Sequence, residues 1–260
     1  MKNKFFAIIV AAGAGKRMNS SVKKQYMEIA GHPVLYHTLQ AFEESNVDEV
    51  IIVTGEDEIP YVREQIVENY CFKKVVAICA GGKERCDSVY EGIKQVLKRL
   101  EIAGQYPDCA ENDSNFQNCV LIHDGVRPLI TPELINSCIE KVKEFGAIIP
   151  GVPEKDTVKE ADSQMNVTGT PDRKKLYRVQ TPQCFELSLI NEAFEKYQAE
   201  MEENSSCESV AITDDAMLVE KYTGHKVKIV DGDYKNIKIT TPEDIEIAEF
   251  YLNGRATYGR

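Results

Sequence analysis

Basic side chains gather around a run of very small residues near the start of the chain. Ala11, Ala12, Gly13, Ala14 and Gly15 are followed by Lys16 and Arg17, and Lys23 and Lys24 lie a few positions further on. Backbone that carries almost no side chain lets a ligand approach closely and aims several N–H groups at an anion. Clustered Lys and Arg beside such a loop suit a polyphosphate. Two other spacings point to related chemistry. Gly81 and Gly82 precede Arg85 and Ser88, which suits close backbone contact with a flat base and one hydroxyl to read its edge. Asp124 stands before Arg127, so an acid for a hydroxyl or a metal-bound water has a phosphate-binding cation beside it. Each spacing alone also fits plain structure: a solvated basic loop, a serine inside a helix, a structural ion pair. Their occurrence together favours nucleotide chemistry.

Two familiar phosphate loops fail here. A dinucleotide fingerprint needs a third glycine where this chain has Met18, and a Walker loop needs Ser or Thr where it has Arg17. Lys16 is open between a phosphate contact and a solvated neighbour.

These residues need a scaffold, and the periodicity supplies one. Ile8, Ile9 and Val10 form a continuous apolar run, as in a strand covered on both faces. A helix opens at His32-Pro33, with Val34, Leu35, Leu39 and Phe42 at helical spacing. Strands follow at 50–53, 75–79 and 119–123, with helices at 59–70, at about 84–100 and from Thr131-Pro132, and a short strand at 147–150. Alternation of this kind predicts βαβ units and a parallel sheet with right-handed crossovers. The strand at 119–123 delivers Asp124 at its carboxyl end, the edge where open α/β sheets bind ligands.

Residues 101–118 are polar and aperiodic, and read as an exposed insertion without catalytic duty. Residues 152–179 read as an extended polar β-arm, turning at Asp162-Ser163 and Pro171-Asp172. Such an arm has too little core to stand alone and should pack on something, such as a second subunit. Thr181-Pro182-Gln183 leads into a helix from Leu187, and Thr213-Asp214-Asp215-Ala216 caps another. Strands are expected at 227–230 and 237–240, and Thr241-Pro242-Glu243-Asp244 caps the last helix.

Composition narrows the classes. A chain of 260 residues can form one large α/β domain spanning 1–260. A net charge of −11 argues against coating nucleic acid or an anionic membrane. No run has transmembrane length, and the N-terminus reads as a buried strand and not as a signal peptide. The eight cysteines show no C-x-x-C spacing and the four histidines no i, i+4 pair, so the thiols read as reduced and cytosolic and an all-protein metal site is not expected.

The stretch VAAGAGKRM with KKQY resembles the nucleotide-diphospho-sugar type of nucleotidyltransferase. It is most similar to the family of 2-C-methyl-D-erythritol 4-phosphate cytidylyltransferases of the non-mevalonate isoprenoid pathway. Further elements match in order between residues 6 and 252: GGKERCDS, HDGVRP, KDTVK with TPDR, QTPQ and NIK. The resemblance implies a Rossmann-like mixed, mostly parallel sheet with helices on both faces, a protruding β-arm and an arm-exchanged homodimer. It implies Mg-dependent in-line transfer of CMP from CTP to 2-C-methyl-D-erythritol 4-phosphate in the cytoplasm.

Arg17, Lys24 and Lys238 match the catalytic cations. Ala11, Ala12, Gly13, Ala14, Gly15, Gly82, Arg85 and Ser88 match the nucleotide contacts, and Asp124, Arg127, Thr157, Arg173 and Thr181 the acceptor contacts. Thr157 and Arg173 reach a neighbouring subunit's site in that pattern. Magnesium would be held mainly by the CTP phosphates, with Asp124 as an additional ligand. The chain departs from the family at Lys23, usually Pro, which would alter the approach of Lys24. It departs again at Gly125-Val126, usually Ala-Ala, which would reshape the pocket.

Ribitol-5-phosphate cytidylyltransferase is the alternative within the chemistry, although its first loop usually has Ala-Gly-Gly where this chain has Ala11-Ala12-Gly13. A catalytically silent nucleotide-sensing module is another, and it would be expected to lack one of Arg17, Lys24 and Lys238. A dehydrogenase would need glycine in place of Met18.

Overall fold

Side chains of the first strand alternate between two separate apolar cores, and this alternation sets the layering. Phe5, Ala7 and Ile9 enter one core and Phe6 and Ile8 the other. A strand that is apolar on both faces has to be covered on both. The computed structural model describes residues 3–13, 22–104, 117–203 and 212–258, the last four by backbone alone. Ala14, Gly15, Lys16, Arg17 and most of the 101–118 insertion lie outside the described residues.

In chain order the elements are β1 (Phe5–Val10), β2 (Glu28–Ile29), β3 (His32–Pro33), α1 (Val34–Glu44), β4 (Glu49–Thr54) and α2 (Ile59–Tyr61). A π-helical segment, Val62–Glu68, extends α2. Next come β5 (Val75–Ala80), α3 (Arg85–Ile102), β6 (Cys119–Asp124), α4 (Pro132–Phe145) and β7 (Ala147–Pro153). The arm holds β8 (Glu160–Ala161) and β9 (Val167–Gly169). The chain ends with β10 (Tyr177–Val179), β11 (Gln183–Glu186), α5 (Leu187–Glu203), α6 (Asp215–Thr223), β12 (Lys228–Asp231) and α7 (Pro242–Tyr258).

β6, β1, β4 and β5 lie side by side and parallel. Beyond β6 comes β11, antiparallel to it, then β7, antiparallel to β11. β12 runs parallel to β7, and β10 pairs antiparallel along the far part of β7. The sheet is mixed and mostly parallel, as expected. Leu35, Leu39 and Phe42 of α1 and Ile135, Ile139 and Val142 of α4 cover one face. Val89, Ile93 and Val96 of α3, with Ile190 and Phe194 of α5 and Leu218 of α6, cover the other.

The chain runs from β1 outward through β4 to β5, then returns to β6 on the opposite side of β1. The carboxyl ends of β1 and β6 therefore meet where the strand order reverses, with Val10 paired to Asp124. A crevice opens at such a switch point.

Four details differ from the sequence reading. Residues 183–186 form an antiparallel strand that the sequence does not announce, since four residues are too few to show a period; the helix after it begins at Leu187, as expected. Residues 237–240 are irregular and not a strand: Ile239 N–H donates to the Val126 carbonyl, and the Ile239 carbonyl accepts from Lys24. His32-Pro33 pairs with Glu28-Ile29 in a small hairpin, and the helix begins only at Val34. The arm is short: β8 pairs with β9, whereas β10 leaves it to join the main sheet.

Close approach of α3 to β1 depends on Gly92, where a Cβ would lie 2.5 Å from Cγ2 of Ile8. Gly92→Val is expected to overpack this contact and cost about 1–3 kcal/mol. A thermal melt should show a fall of several degrees, and an unchanged midpoint would contradict the packing.

Candidate active site

The crevice at the carboxyl ends of β1, β5 and β6 holds a cavity of about 320 Å³. One wall is the backbone of Ala11, Ala12 and Gly13. Ala11 N–H donates to the Val53 carbonyl at 2.7 Å, and the Ala11 carbonyl accepts from Nε2 of buried Gln25 at 2.7 Å. The loop is thereby pinned to β4 and to the 3₁₀ turn Lys24–Tyr26. Lys24 leaves that turn toward the cavity, where its Nζ donates to the Ile239 carbonyl at 3.0 Å.

The opposite wall is the Gly81-Gly82 loop and the start of α3. A Cβ at Gly81 would stand 2.6 Å from Oγ of Ser88 and 2.8 Å from Cβ of Ala12. At Gly82 it would stand 2.2 Å from Cβ of Asp87. Glycine at 81 therefore lets this loop close on Ala12, and glycine at 82 lets it pack on the start of α3. Ser88 Oγ donates to the Glu84 carbonyl at 3.0 Å, which leaves its lone pairs able to accept from an amino group in the cavity.

A second cavity of about 180 Å³ adjoins the first and shares Arg85, Asp124 and Lys238 with it. Asp124 is the pivot. Lys238 Nζ lies 2.9 Å from its Oδ2, Arg127 Nε 3.5 Å from the same oxygen, and Arg85 Nε 3.4 Å from Oδ1. Burial alone would raise its pKa, but Lys238, Arg85 and Arg127 outweigh burial and hold the carboxyl well below the usual range. Asp124 is thus a fixed negative charge around neutrality, able to accept hydrogen bonds and not to carry a proton. Arg127 is 9% exposed, and NH1 donates to the Asn236 carbonyl at 2.8 Å, so it braces the site as well as bordering it.

Thr181, 5% exposed, fixes Asp124 from behind. Its Oγ1 accepts the Asp124 backbone N–H at 3.1 Å and lies 2.9 Å from Nδ1 of His123. Its own carbonyl accepts from Nδ2 of Asn236 at 2.9 Å. The described residues Ala11, Ala12, Gly13, Gly82, Arg85, Ser88, Lys24, Asp124, Arg127, Thr181 and Lys238 all border one or both cavities.

Thr157 and Arg173 border neither cavity. Both are exposed on the arm, where Arg173 NH1 donates to the Lys155 carbonyl at 2.8 Å. Lys23 points away to Glu58, with 2.6 Å between Nζ and Oε1. Its φ of −66° and ψ of 139° are values proline also adopts. At Gly125 a Cβ would meet Leu35 and the Val10 carbonyl at 3.1 and 3.2 Å, while Val126 borders the larger cavity.

Sequence reasoning missed two residues. Gln183 Oε1 accepts the backbone N–H groups of Asp215 and Ala216, both at 3.0 Å. Asp215 takes both guanidinium NH groups of Arg85, at 2.9 and 2.8 Å. In sequence, Thr213-Asp214-Asp215 reads only as a helix cap, a role Asp214 fills by accepting Met217 N–H. Nothing in that pattern says that the second acid turns inward.

Comparison with known proteins bears on this site. Residues 5–254 match the family model described as IspD, 2-C-methyl-D-erythritol 4-phosphate cytidylyltransferase. A relative of that name from Lachnospira eligens is 44% identical over 249 residues, covering 95% of this chain and 99% of the relative. Another from Lachnoclostridium phytofermentans is 45% identical over 249 residues, covering 96% of each. The crystal structure of 4-diphosphocytidyl-2C-methyl-D-erythritol synthase from Anaerococcus prevotii superposes with a TM-score of 0.74 at 36% identity, covering 96% of both chains.

His123 gives this site a pH signature. Burial, only partly opposed by the Asp124 charge, lowers its pKa to about 3, against about 6.5 when unfolded. Below about pH 6.5 the unfolded chain takes up a proton that the folded chain refuses, so stability is lost as pH falls toward 3 and none is lost above that window. The slope from this group approaches about 1.4 kcal/mol per pH unit. Denaturant titrations at about pH 7 and about pH 5 should show His123→Gln losing less stability than wild type between the two. Equal losses would contradict a buried neutral imidazole.

Proposed function

Because the chain belongs to the 2-C-methyl-D-erythritol 4-phosphate cytidylyltransferase family and is a nucleotidyltransferase, we propose that it transfers CMP from CTP to 2-C-methyl-D-erythritol 4-phosphate, releasing pyrophosphate. One observation carries this reading: two adjoining cavities meet at Asp124, Arg85 and Lys238, and Lys24 reaches the same place through the Ile239 carbonyl. Such a junction suits one anionic substrate on each side and the reaction between them.

The product 4-diphosphocytidyl-2-C-methyl-D-erythritol carries a diphosphate, so an oxygen of the acceptor's phosphate attacks the α-phosphorus of CTP. That oxygen is already anionic near neutrality and needs no general base. An ionised Asp124 is consistent with this. What has to be overcome is repulsion between two anions and the charge that spreads over the transition state, a task for fixed cations and alignment. Lys24 and Lys238 take that role here, and the family pattern assigns Arg17 to it as well. Residues 238 and 239 are consecutive, so one short segment fixes both lysines: Lys238 through Asp124 and Lys24 through Ile239.

CTP lies in the larger cavity, its phosphates on the backbone of residues 11–15 and its base against Gly82 and the Ser88 hydroxyl, with Arg85 in support. The acceptor occupies the smaller cavity, with Asp124, Arg127 and Thr181 as its contacts. Thr157 and Arg173 complete that side from the arm of a second copy, in a homodimer. Their distance from the cavities of their own chain and the exposure of Val158, Met165 and Val167 on the arm support this. The whole chain acts as one nucleotidyltransferase domain, with the arm at 152–179 and the insertion at 101–118 as additions.

Magnesium would be held mainly by the CTP phosphates. Among the described residues no three acidic, histidine or cysteine side chains converge as a metal site. A magnesium ion held by triphosphate oxygens and water would need no more from the protein than Asp124 as a single carboxylate. When bound, it supplies charge neutralisation along the triphosphate. Among the described residues no helix is long and apolar enough to cross a membrane. The described cysteines are free thiols, and a cytoplasmic setting fits them.

A pyrophosphate-release assay with four nucleoside triphosphates, against methylerythritol phosphate and ribitol 5-phosphate, tests the assignment. Turnover is expected with CTP and the first acceptor; preference for the second would move the protein to the other cytidylyltransferase activity. Lys24→Ala should lower kcat by about 10²–10³, the scale for one transition-state donor, and near-wild-type turnover would remove Lys24 from the mechanism. Mixing Lys24→Ala with Arg173→Ala chains should restore activity that neither variant has alone. Failure to complement would contradict a site shared between subunits.

A further inference from the structure

The buried acid missed in the sequence has a role that its geometry defines. Asp215 is the first residue of α6 and is 2% exposed. Its two oxygens accept from both terminal nitrogens of Arg85, at 2.9 and 2.8 Å, while the remaining Arg85 donor, Nε, stands 3.4 Å from Asp124. A planar guanidinium presents its donors in a fixed fork, so the partner that takes the fork decides where the whole group points. Of the described residues that border the two cavities, Arg85 is one and Asp215 is not.

Asp215 is itself held in place. Gln183 of β11 accepts its backbone N–H and that of Ala216, and the carboxylate sits at a helix N-terminus, where the peptide dipoles favour negative charge. The chain of charges thus runs Asp215, Arg85, Asp124, Lys238. Asp124 and Asp215 compete for one guanidinium, and Asp215 has the better geometry.

We propose that Asp215 is a positioning residue for the transfer reaction: by holding both terminal nitrogens of Arg85, it keeps the oxygens of Asp124 available to Lys238 and the acceptor. Without that charge, the Arg85 fork turns to Asp124, which its Nε already approaches, and competes with Lys238 and the acceptor for the Asp124 oxygens. The inference rests on the cytidylyl-transfer reading for the roles of Asp124 and Arg85. Asp215 borders neither cavity, so the effect of its side chain on turnover is expected to pass through Arg85, the partner of its carboxylate.

A double-mutant cycle in the pyrophosphate-release assay tests this, using wild type, Asp215→Asn, Arg85→Gln and the double variant, with CTP binding titrated separately. In the wild-type background Asp215→Asn should lower kcat/KM for the polyol phosphate by about 10²-fold, as expected when one partner of a buried pair is lost. Most of the change should appear in KM for the polyol phosphate, with CTP affinity altered by less than about threefold. In the Arg85→Gln background the same substitution should change kcat/KM by less than about threefold, the signature of two residues acting as one unit.

Equal losses in both backgrounds, or a loss shared evenly between CTP and acceptor, would overturn the proposal. Should Asp215→Asn alone fail to fold, Arg85→Gln against the double variant decides it. Similar activities support the proposal, and a further tenfold loss in the double variant overturns it. A wild-type enzyme that releases no pyrophosphate with any polyol phosphate would instead refute the transfer reading itself.

Discussion

A carboxylate buried at the meeting point of two strands sets the terms for everything around it. Asp124 is 6% exposed, and a bare charge in that position would be costly. The fold meets the cost with cations from three separate segments: Arg85 at the start of α3, Arg127 in the loop after β6, and Lys238 in the irregular stretch after β12. Three of these groups have anchors of their own: Arg85 by Asp215, Arg127 by the Asn236 carbonyl, and Asp124 by Thr181. The result is a positive, rigid site in a chain whose net charge is −11. A site rich in fixed donors is what phosphate chemistry needs, since little reorganisation is left for the moment of reaction.

The sheet explains why those segments converge. Reversal of strand order beside β1 leaves a gap between the loops that follow β1 and β6, and the loop after β5 closes it from one side. Glycines at 81 and 82 permit that closure because any side chain there would strike Ser88, Ala12 or Asp87. Proximity in the site therefore follows from strand order and from two missing side chains.

Much of this was legible in the chain itself. β1, β4 and β6 announce themselves as apolar runs, and Asp124 as an acid at a strand end. The glycine loops show where backbone must come close. What the sequence hid was of another kind. The direction of β11 depends on partners far away in the chain, and Gln-Cys-Phe-Glu is too short to reveal a period. The segment at 237–240 looks like a strand but bonds to Val126 and Lys24 and not to a ladder. Asp215 is indistinguishable from an ordinary capping acid until α6 is docked on β11. At Lys23 the residue type departs from the family, while φ near −66° is open to Lys and Pro alike and the side chain engages Glu58.

The central claim is that the cations around Asp124 surround the α-phosphate at which the bond is exchanged. A crystal structure with CTP, magnesium and an unreactive acceptor analogue measures this directly. The account predicts Nζ of Lys24 and of Lys238 within about 3 Å of oxygens on or bridging to the α-phosphorus, with the acceptor's phosphate on the Asp124 side. A triphosphate seated elsewhere, with both lysines beyond hydrogen-bond reach of it, would contradict the account.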